Sequence, residues 1–203
     1  MAAIDLTRLN KQVEELKQAF SEPTEFRKRL HGTQQFYHRY AHRQNKDVAP
    51  VSFMRVYDIP NQVLPQIANG LSLKASEDAN ETLGVVDELW KDDHFEARDL
   101  AAHLLGQVPV SSAKEVLERL RQWSSLPLDR AVVKAVFVKG SQRLRAEDPH
   151  RWADFVGELL ESPAPRQQNN GLYALSLLVA QAGSDQLPRF FRWVRPFLQS
   201  DQS

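Results

Sequence analysis

The sequence predicts an all-α protein built as a helical-repeat α-solenoid, a superhelix of antiparallel helix pairs. Apolar residues recur at steps of three and four residues through most of the chain, whereas no segment alternates apolar and polar residues strongly enough to indicate a strand. Residues suited to helix caps also recur at separations of 36, 36 and 37 residues: Ser76, Ser112, Asp148 and Asp185. A constant period of this length is typical of stacked helix pairs, in which each pair buries its apolar face against the next.

Residues 1–72 are predicted to form an irregular helical N-terminal part. Asp5 is placed to cap a first helix, whose apolar stripe consists of Leu6, Leu9, Val13, Leu16 and Phe20. A short second helix should begin near Pro23 and stop at Gly32, and residues 33–44 should form another helix. Residues 45–60 are predicted to be a connection, followed by a short helix over residues 63–71.

Residues 73–203 are predicted to form the helix-pair repeats, packed with the N-terminal part as one continuous domain. The predicted helices cover residues 80–91, 94–108, 113–123, 128–145, 149–161, 166–182 and 187–199. Asp93 with Glu96, and Ser112 with Glu115, have the spacing of a capping box, in which two side chains satisfy free amide groups at a helix start. The second helix of each pair carries a wide apolar stripe: Leu100, Ala101, Leu104 and Leu105; Val132, Val133, Val136 and Phe137; Leu172, Leu175, Leu178 and Val179.

Composition excludes several classes of function. The chain has 203 residues and no cysteine, which excludes thiol catalysis, thiolate metal sites and disulfide bonds. It has no apolar run long enough for a membrane span and no secretory signal, so we expect a soluble cytoplasmic protein without a membrane partner. The 26 basic and 26 acidic side chains balance, so a nucleic-acid partner requires a local basic surface.

The stretch ELWKDDHFEARDLAAHLLG, residues 88–106, resembles the second repeat of the bacterial HEAT-like DNA alkylation repair proteins of the alkylpurine DNA glycosylase type. In that family a leucine-tryptophan pair precedes a His-Glu-x-Arg-like corner and an alanine-rich helix. Six residues occupy those places here: Leu89, Trp90, Glu96, Arg98, Ala101 and Leu105. Residues 56–71, 149–179 and 187–198 are also similar to the family, so the resemblance covers about residues 48–198.

The resemblance implies a HEAT-like solenoid that binds duplex DNA on its concave face and, when active, releases alkylated purines as a DNA glycosylase. Trp123 and Asp129 lie nearest to the family's tryptophan and aspartate, so Asp129 is the candidate catalytic carboxylate. A carboxylate would stabilise the oxocarbenium character of the sugar, and tryptophan faces would stabilise the cationic base. The candidate DNA-binding residues are Trp90, Arg98, Trp123, Arg130, Lys134 and Arg166. Where family members carry a phosphate-binding arginine, this chain has residues 168–170, Gln-Asn-Asn, so we expect glycosylase activity to be weak or lost.

Simpler roles exist for each of these residues. Asp129 suits the cap of the helix after Pro127, the tryptophans suit the core, and the basic side chains suit a solvated face. The alternative function is a non-catalytic scaffold that binds a protein partner, or forms a homodimer through the C-terminal helix. No cofactor or metal is expected, because His38 and His42 lack a visible third ligand and His103 lies in an apolar run.

Overall fold

The computed structural model describes residues 4–41, 54–180 and 187–200, and helices dominate all three ranges. The described helices are α1 Leu6–Gln18, α2 Pro23–Ala41, α3 Val63–Glu77, α4 Ala79–Trp90, α5 Phe95–Leu105, α6 Ala113–Ser125, α7 Arg130–Val138, α8 Gln142–Glu147, α9 Pro149–Glu161, α10 Pro165–Val179 and α11 Leu187–Ser200. A 3₁₀ turn over Val110–Ser112 precedes α6. Within the described ranges the extended backbone amounts to one isolated bridge between Arg55 and His94. The all-α prediction is therefore confirmed for the described residues.

The helices pack in two rows. One, the α1 row, contains α1, α3, α5, α7 and α10, each of which contacts the next. The other, the α2 row, contains α2, α4, α6, α9 and α11. Its successive helices are joined by ion pairs: Arg27 with Glu88, Arg119 with Asp87, Arg121 with Glu158, and Arg189 with Asp154. Helix α3 packs on both α1 and α5, so the rows run continuously across residue 72.

Aspartate side chains start four of the helices. Each accepts a hydrogen bond from a backbone N–H in the first turn, at 2.9–3.1 Å: Asp5 from Arg8, Asp78 from Glu81, Asp129 from Ala131, and Asp148 from Arg151. Such caps satisfy N–H groups that have no partner inside the helix and contribute about 1 kcal/mol each. The predicted caps Asp5 and Asp148 are confirmed, whereas the predicted Asp185 lies outside the described residues.

The core lies between the two rows. Its largest fully buried side chains include Trp123, Trp152, Phe20, Phe26, Phe137 and Phe155. The apolar stripe of α5 is buried as predicted, over Leu100, Ala101, Leu104 and Leu105. Two predicted stripe positions are wrong, because Leu6 and Val179 are exposed at the ends of their helices.

Helix α2 contradicts the predicted stop at Gly32. It runs without a break from Pro23 to Ala41, joining two segments that the sequence divides. The buried side chains Phe26, Leu30 and Tyr37 keep helical spacing across the glycine, so packing sustains the helix there. Helix α3 likewise continues past the predicted end at residue 71, and Ser76 lies in its last turn instead of capping the next helix.

The predicted capping boxes are also wrong. Ser112 precedes α6 but makes no side-chain cap hydrogen bond. At α5 the residue before the helix is His94, which also makes no such bond, while Asp93 is exposed and paired with Arg55. Spacing alone matches a capping box without fixing where the side chains point.

The predicted helix over residues 128–145 is interrupted. Helix α7 ends at Val138 and α8 begins at Gln142, with Lys139, Gly140 and Ser141 between them. The carbonyl of Lys139 lies so close to Gly106, after α5, that a Cβ on Gly106 would approach it to 1.9 Å. The turn therefore lets the end of α7 meet the end of α5.

Among the helices of the described ranges, none combines the length and apolar character needed to cross a lipid bilayer.

Candidate functional site

The tightest group of predicted site residues lies at the corner between α4 and α5. Trp90, the last residue of α4, stacks on Trp123 of α6 with 3.7 Å between ring centroids and 7° between planes. The Arg98 guanidinium carbon lies 5.3 Å from the Trp90 ring centroid, within cation–π range. Three of the predicted DNA-binding residues are thus brought together as one stack.

The members of this stack differ in accessibility. Trp123 is only 2% exposed, so its face is filled by the protein itself. Trp90 and Arg98 are half-buried, and Arg98 Nε donates a 2.9 Å hydrogen bond to the carbonyl of Asp92. Arg98 thereby closes the corner, and Trp90 is the ring of the stack that remains partly open to a ligand.

A second group lies at the corner between α6 and α7. Asp129 caps α7 through Oδ1, as the simpler of its two predicted roles requires. Arg166, at the start of α10, is exposed and its Nη1 lies 3.3 Å from the carbonyl of Ser125. Asn170 is buried and donates from Nδ2 to the carbonyl of Ser124 at 2.9 Å. The Gln-Asn-Asn segment therefore contributes a structural contact to the end of α6.

Arg130 and Lys134 lie one turn apart on α7, and both are exposed. Within the part of the chain that the structure describes, neither forms an ion pair. This distinguishes them from Arg119, Arg121 and Arg189 of the α2 row, which are paired with carboxylates of neighbouring helices. The α1 row thus carries cations available to an anionic partner.

Sequence reasoning missed a hydrogen-bond network centred on Tyr57. Its hydroxyl hydrogen bonds to His31 Nδ1 of α2, and its carbonyl accepts a hydrogen bond from His38 Nδ1. Its ring stacks on His94, with 4.1 Å between centroids. Burial, followed by the charges of Asp92 and Glu96, raises the pKa of Tyr57 to about 12, so the phenol stays neutral. The network attaches the segment before α3 to the α4–α5 corner.

Glu96 belongs to this network and not to a helix cap. Its Oε1 accepts a 2.8 Å hydrogen bond from the backbone N–H of Tyr57. The residue is 4% exposed, and Oε2 is buried without a hydrogen-bond partner among the described residues. Burial raises the pKa of Glu96 above its ordinary value, although the backbone N–H groups of Glu96, Tyr57 and Asp58 oppose this. The sequence contains no signal that could pair Glu96 with a residue 39 positions earlier.

Glu96→Gln should change how stability depends on pH. A carboxyl group with a raised pKa in the folded state holds its proton more tightly there than in the unfolded state. In the wild type, the stability that this proton confers is present at low pH and is lost as pH rises through the folded-state pKa. Glutamine keeps an acceptor for Tyr57 but does not ionise, so the variant should lose less stability over that interval. Urea unfolding of both proteins across a pH series measures the difference, and parallel curves would contradict the assignment.

Among the residues that the structure describes, Asp92, Asp93 and His94 form the group that could hold a metal ion. One ligand atom from each lies within 4.8 Å of the others. Burial acts to raise the pKa of Asp92, but hydrogen bonds from the backbone and ring of His94 outweigh it and lower the pKa. His94 Nδ1 contacts both Asp92 and Asp93, and Asp93 also pairs with Arg55, so all three side chains already have partners.

His103 and His38 each have a hydrogen-bond partner. Ser72 Oγ lies 2.9 Å from His103 Nε2, and burial, followed by the charge of Lys139, lowers the pKa of His103. His38 contacts Tyr57, whereas His42 lies outside the described residues. The shared metal site considered for His38 and His42 stays untested.

In a comparison with protein families, residues 28–202 match the model described as DNA alkylation repair enzyme. Comparison with the curated proteins and with the solved structures gives no significant match.

Proposed function

The chain belongs to the DNA alkylation repair enzyme family, and on this basis we propose that it binds duplex DNA along the α1 row. The family match spans most of the chain, including both corners described above. The observation that carries the proposal is that Arg130 and Lys134 on α7 are both exposed and form no ion pair within the described residues. Phosphate groups are the anions that two such side chains, one helical turn apart, would bind along a duplex.

The packing supports a HEAT-like superhelix for this function. Successive helices of the α1 row pack on one another, and successive helices of the α2 row are joined by ion pairs, as expected when helix pairs stack side by side. We assign the concave face to the α1 row, which contains the second helix of each predicted pair. The duplex would then pass over α5, α7 and the start of α10, where Arg166 is exposed.

The charges described above are consistent with the same face. Along the α2 row, Arg119, Arg121 and Arg189 are occupied by acidic partners on neighbouring helices. A phosphate would have to compete with these carboxylates, whereas at Arg130 and Lys134 it would displace only counterions. Overall neutrality is therefore compatible with a local duplex-binding surface.

Catalysis has weaker support than binding. Asp129 is engaged in capping α7, and Trp123 is covered by Trp90. A glycosylase carboxylate must reach the sugar of the damaged nucleotide, and an aromatic group must present a face to the base. We therefore propose duplex binding as the retained activity, with release of alkylated purines weak or lost.

Removing Arg130 and Lys134 together should weaken duplex binding and flatten its salt dependence. Each phosphate contact contributes about 0.9 to the magnitude of the slope of log affinity against log salt concentration. In the double alanine variant that magnitude should therefore fall by about twice this amount. Fluorescence anisotropy with a labelled duplex, at several salt concentrations, measures this. Lys114→Ala, an exposed lysine on α6 of the α2 row, is the matched control and should bind as the wild type does.

The alternative of a protein-binding scaffold rests on α11. Phe191 is 69% exposed and Leu198 is 66% exposed, seven residues apart on the same helix. Apolar side chains so exposed are suited to contact a protein partner or a second copy of the chain. Failure of the wild type to bind duplex even at low salt would contradict the DNA proposal and favour this alternative.

A further inference from the structure

An open pocket of about 610 Å³ lies on the α1 row, and neither Trp90 nor Trp123 lines it. We call it the loop pocket, because residues 56–61 form one wall while α3, α5 and Lys139 form the others. Much of the lining is apolar: Val56, Ile59, Leu64, Ala68 and Phe95. A concave site with apolar walls and a few polar groups is the usual form of a small-ligand site.

The charges that line the loop pocket favour a positively charged ligand. Its lining contains the three carboxylates Asp58, Glu96 and Asp99, and one ammonium group, that of Lys139. Lys139 Nζ contacts both oxygens of Asp99, at 2.7 and 2.6 Å, so these two charges compensate each other. His103 adds no fixed charge, because burial lowers its pKa and favours the neutral ring. Asp58 and Glu96 are left as the uncompensated acidic groups.

Glu96 shows that the loop pocket has an unused acceptor. Its Oε1 is fixed by the N–H of Tyr57, while Oε2 has no hydrogen-bond partner among the described residues although it is buried. Leaving such an oxygen unsatisfied costs about 1 to 3 kcal/mol. A donor entering the pocket would remove this cost, and a positively charged donor would also favour the ionised carboxylate.

Asp58 is held in a conformation that places it at the pocket. Its φ of 49° is the only positive value for a non-glycine residue in the described ranges. L-residues adopt this left-handed region at some cost, although aspartate and asparagine tolerate it better than most. The network around Tyr57 holds the adjacent backbone, so the wall of the pocket is preformed.

We propose that the loop pocket binds an aliphatic diamine. One ammonium group would donate to Glu96 and the other to Asp58, while the methylene chain between them would lie on the apolar wall. Two uncompensated carboxylates favour two ammonium groups over one, and neither an anion nor a neutral diol would meet this charge requirement. The proposal does not depend on DNA binding, because Arg130 and Lys134 do not line the pocket.

Isothermal titration calorimetry of the full chain with 1,4-diaminobutane tests the proposal, with 1,4-butanediol as the uncharged ligand of equal length. The titrations are made at constant ionic strength. We expect saturable binding of the diamine and none of the diol. Equal heats from both ligands, or no saturable binding of the diamine at millimolar concentrations, would overturn the proposal.

Three variants identify the residues responsible. Glu96→Gln keeps an acceptor for Tyr57, and Asp58→Asn keeps a residue that tolerates positive φ, so both remove charge with little change of shape. Each should weaken diamine binding about tenfold or more, since a charged hydrogen bond is lost. Glu118→Gln, at an exposed position on α6, should leave the affinity unchanged.

Circular dichroism and urea unfolding check that each variant is folded. If Glu96→Gln does not fold, Asp58→Asn, on the exposed loop, still decides the outcome. Unchanged affinity in the folded carboxylate variants would remove these residues from the site. Diamine binding without duplex binding, or the reverse, would separate this inference from the proposed function.

Discussion

Replacing Gly106 with alanine is expected to lower the free energy of unfolding by about 3 kcal/mol, because the new methyl group has no room. An ideal Cβ at this position would lie 1.9 Å from the carbonyl oxygen of Lys139 and 2.9 Å from its carbon. The obstructing atoms are backbone, which cannot rotate away as a side chain can. The ends of α5 and α7 would have to separate, disturbing the contact between successive helix pairs. For a chain of this size the melting temperature should fall by about 6 to 12 °C.

Gly32→Ala provides the matched control. Gly32 also lies in a helical region, in the middle of α2, but a Cβ there would meet nothing within 4 Å. Alanine should stabilise the protein by about 0.5 to 1 kcal/mol, because glycine loses more backbone entropy on entering a helix. Thermal and urea unfolding of both variants measure the contrast. Similar stabilities for the two alanine variants would show that the approach of α5 to α7 is not the constraint inferred here.

Replacing Trp123 with alanine is expected to destabilise the protein by about 3 to 5 kcal/mol. The indole is 2% exposed and stacks face to face on Trp90, so its removal would leave a large cavity between α4 and α6. The stack itself contributes about 0.5 to 1.5 kcal/mol beyond the burial of area. This prediction assigns a packing role to a residue that the family resemblance implies is a DNA-binding one.

Urea unfolding together with duplex binding distinguishes these two roles of Trp123. Phe191→Ala, which truncates a 69% exposed aromatic side chain on α11, is the control for loss of ring area and should be nearly neutral for stability. A stable Trp123→Ala protein that no longer binds duplex would contradict the packing role and restore the direct one. Reduced stability with binding preserved at low temperature would support the packing role.

The sequence predicts helices well where one side of a helix faces the core. Helices α4, α6 and α9 begin and end within two residues of their predicted bounds, since apolar spacing and flanking proline or aspartate residues are local features. The stop predicted at Gly32 is wrong because glycine weakens a helix by an amount that burial of Leu30 and Tyr37 outweighs. The break after Val138 places Lys139 against Gly106, a residue more than thirty positions away, and no local pattern reveals that contact.

In the candidate site, some residues are predictable from the sequence, whereas their contacts depend on how the helices pack. Trp90, Arg98 and Trp123 are each predicted from the sequence, but their stack depends on the packing of α4, α5 and α6. The spacing of Asp93 and Glu96 indicates a cap, yet the two carboxylates contact Arg55 and Tyr57, which come from the segment before α3. That segment has no regular period, so its contacts could not be read from sequence. Pocket residues such as Asp58 were missed for the same reason.

Helix α11 is the last described helix of the α2 row and packs on α9 and α10. Trp193 lies directly over Gly157 of α9, and Arg189 pairs with Asp154 of the same helix. An exposed ion pair contributes little, whereas the indole on Gly157 and the buried ring of Phe190 are apolar contacts. In a stack where each pair is stabilised by its neighbours, we expect α11 to open at a lower free energy than the central helices. Local opening there would uncover the indole of Trp193 while α4 to α7 remained folded, so loss of this helix need not mean loss of the surface that contains Arg130 and Lys134.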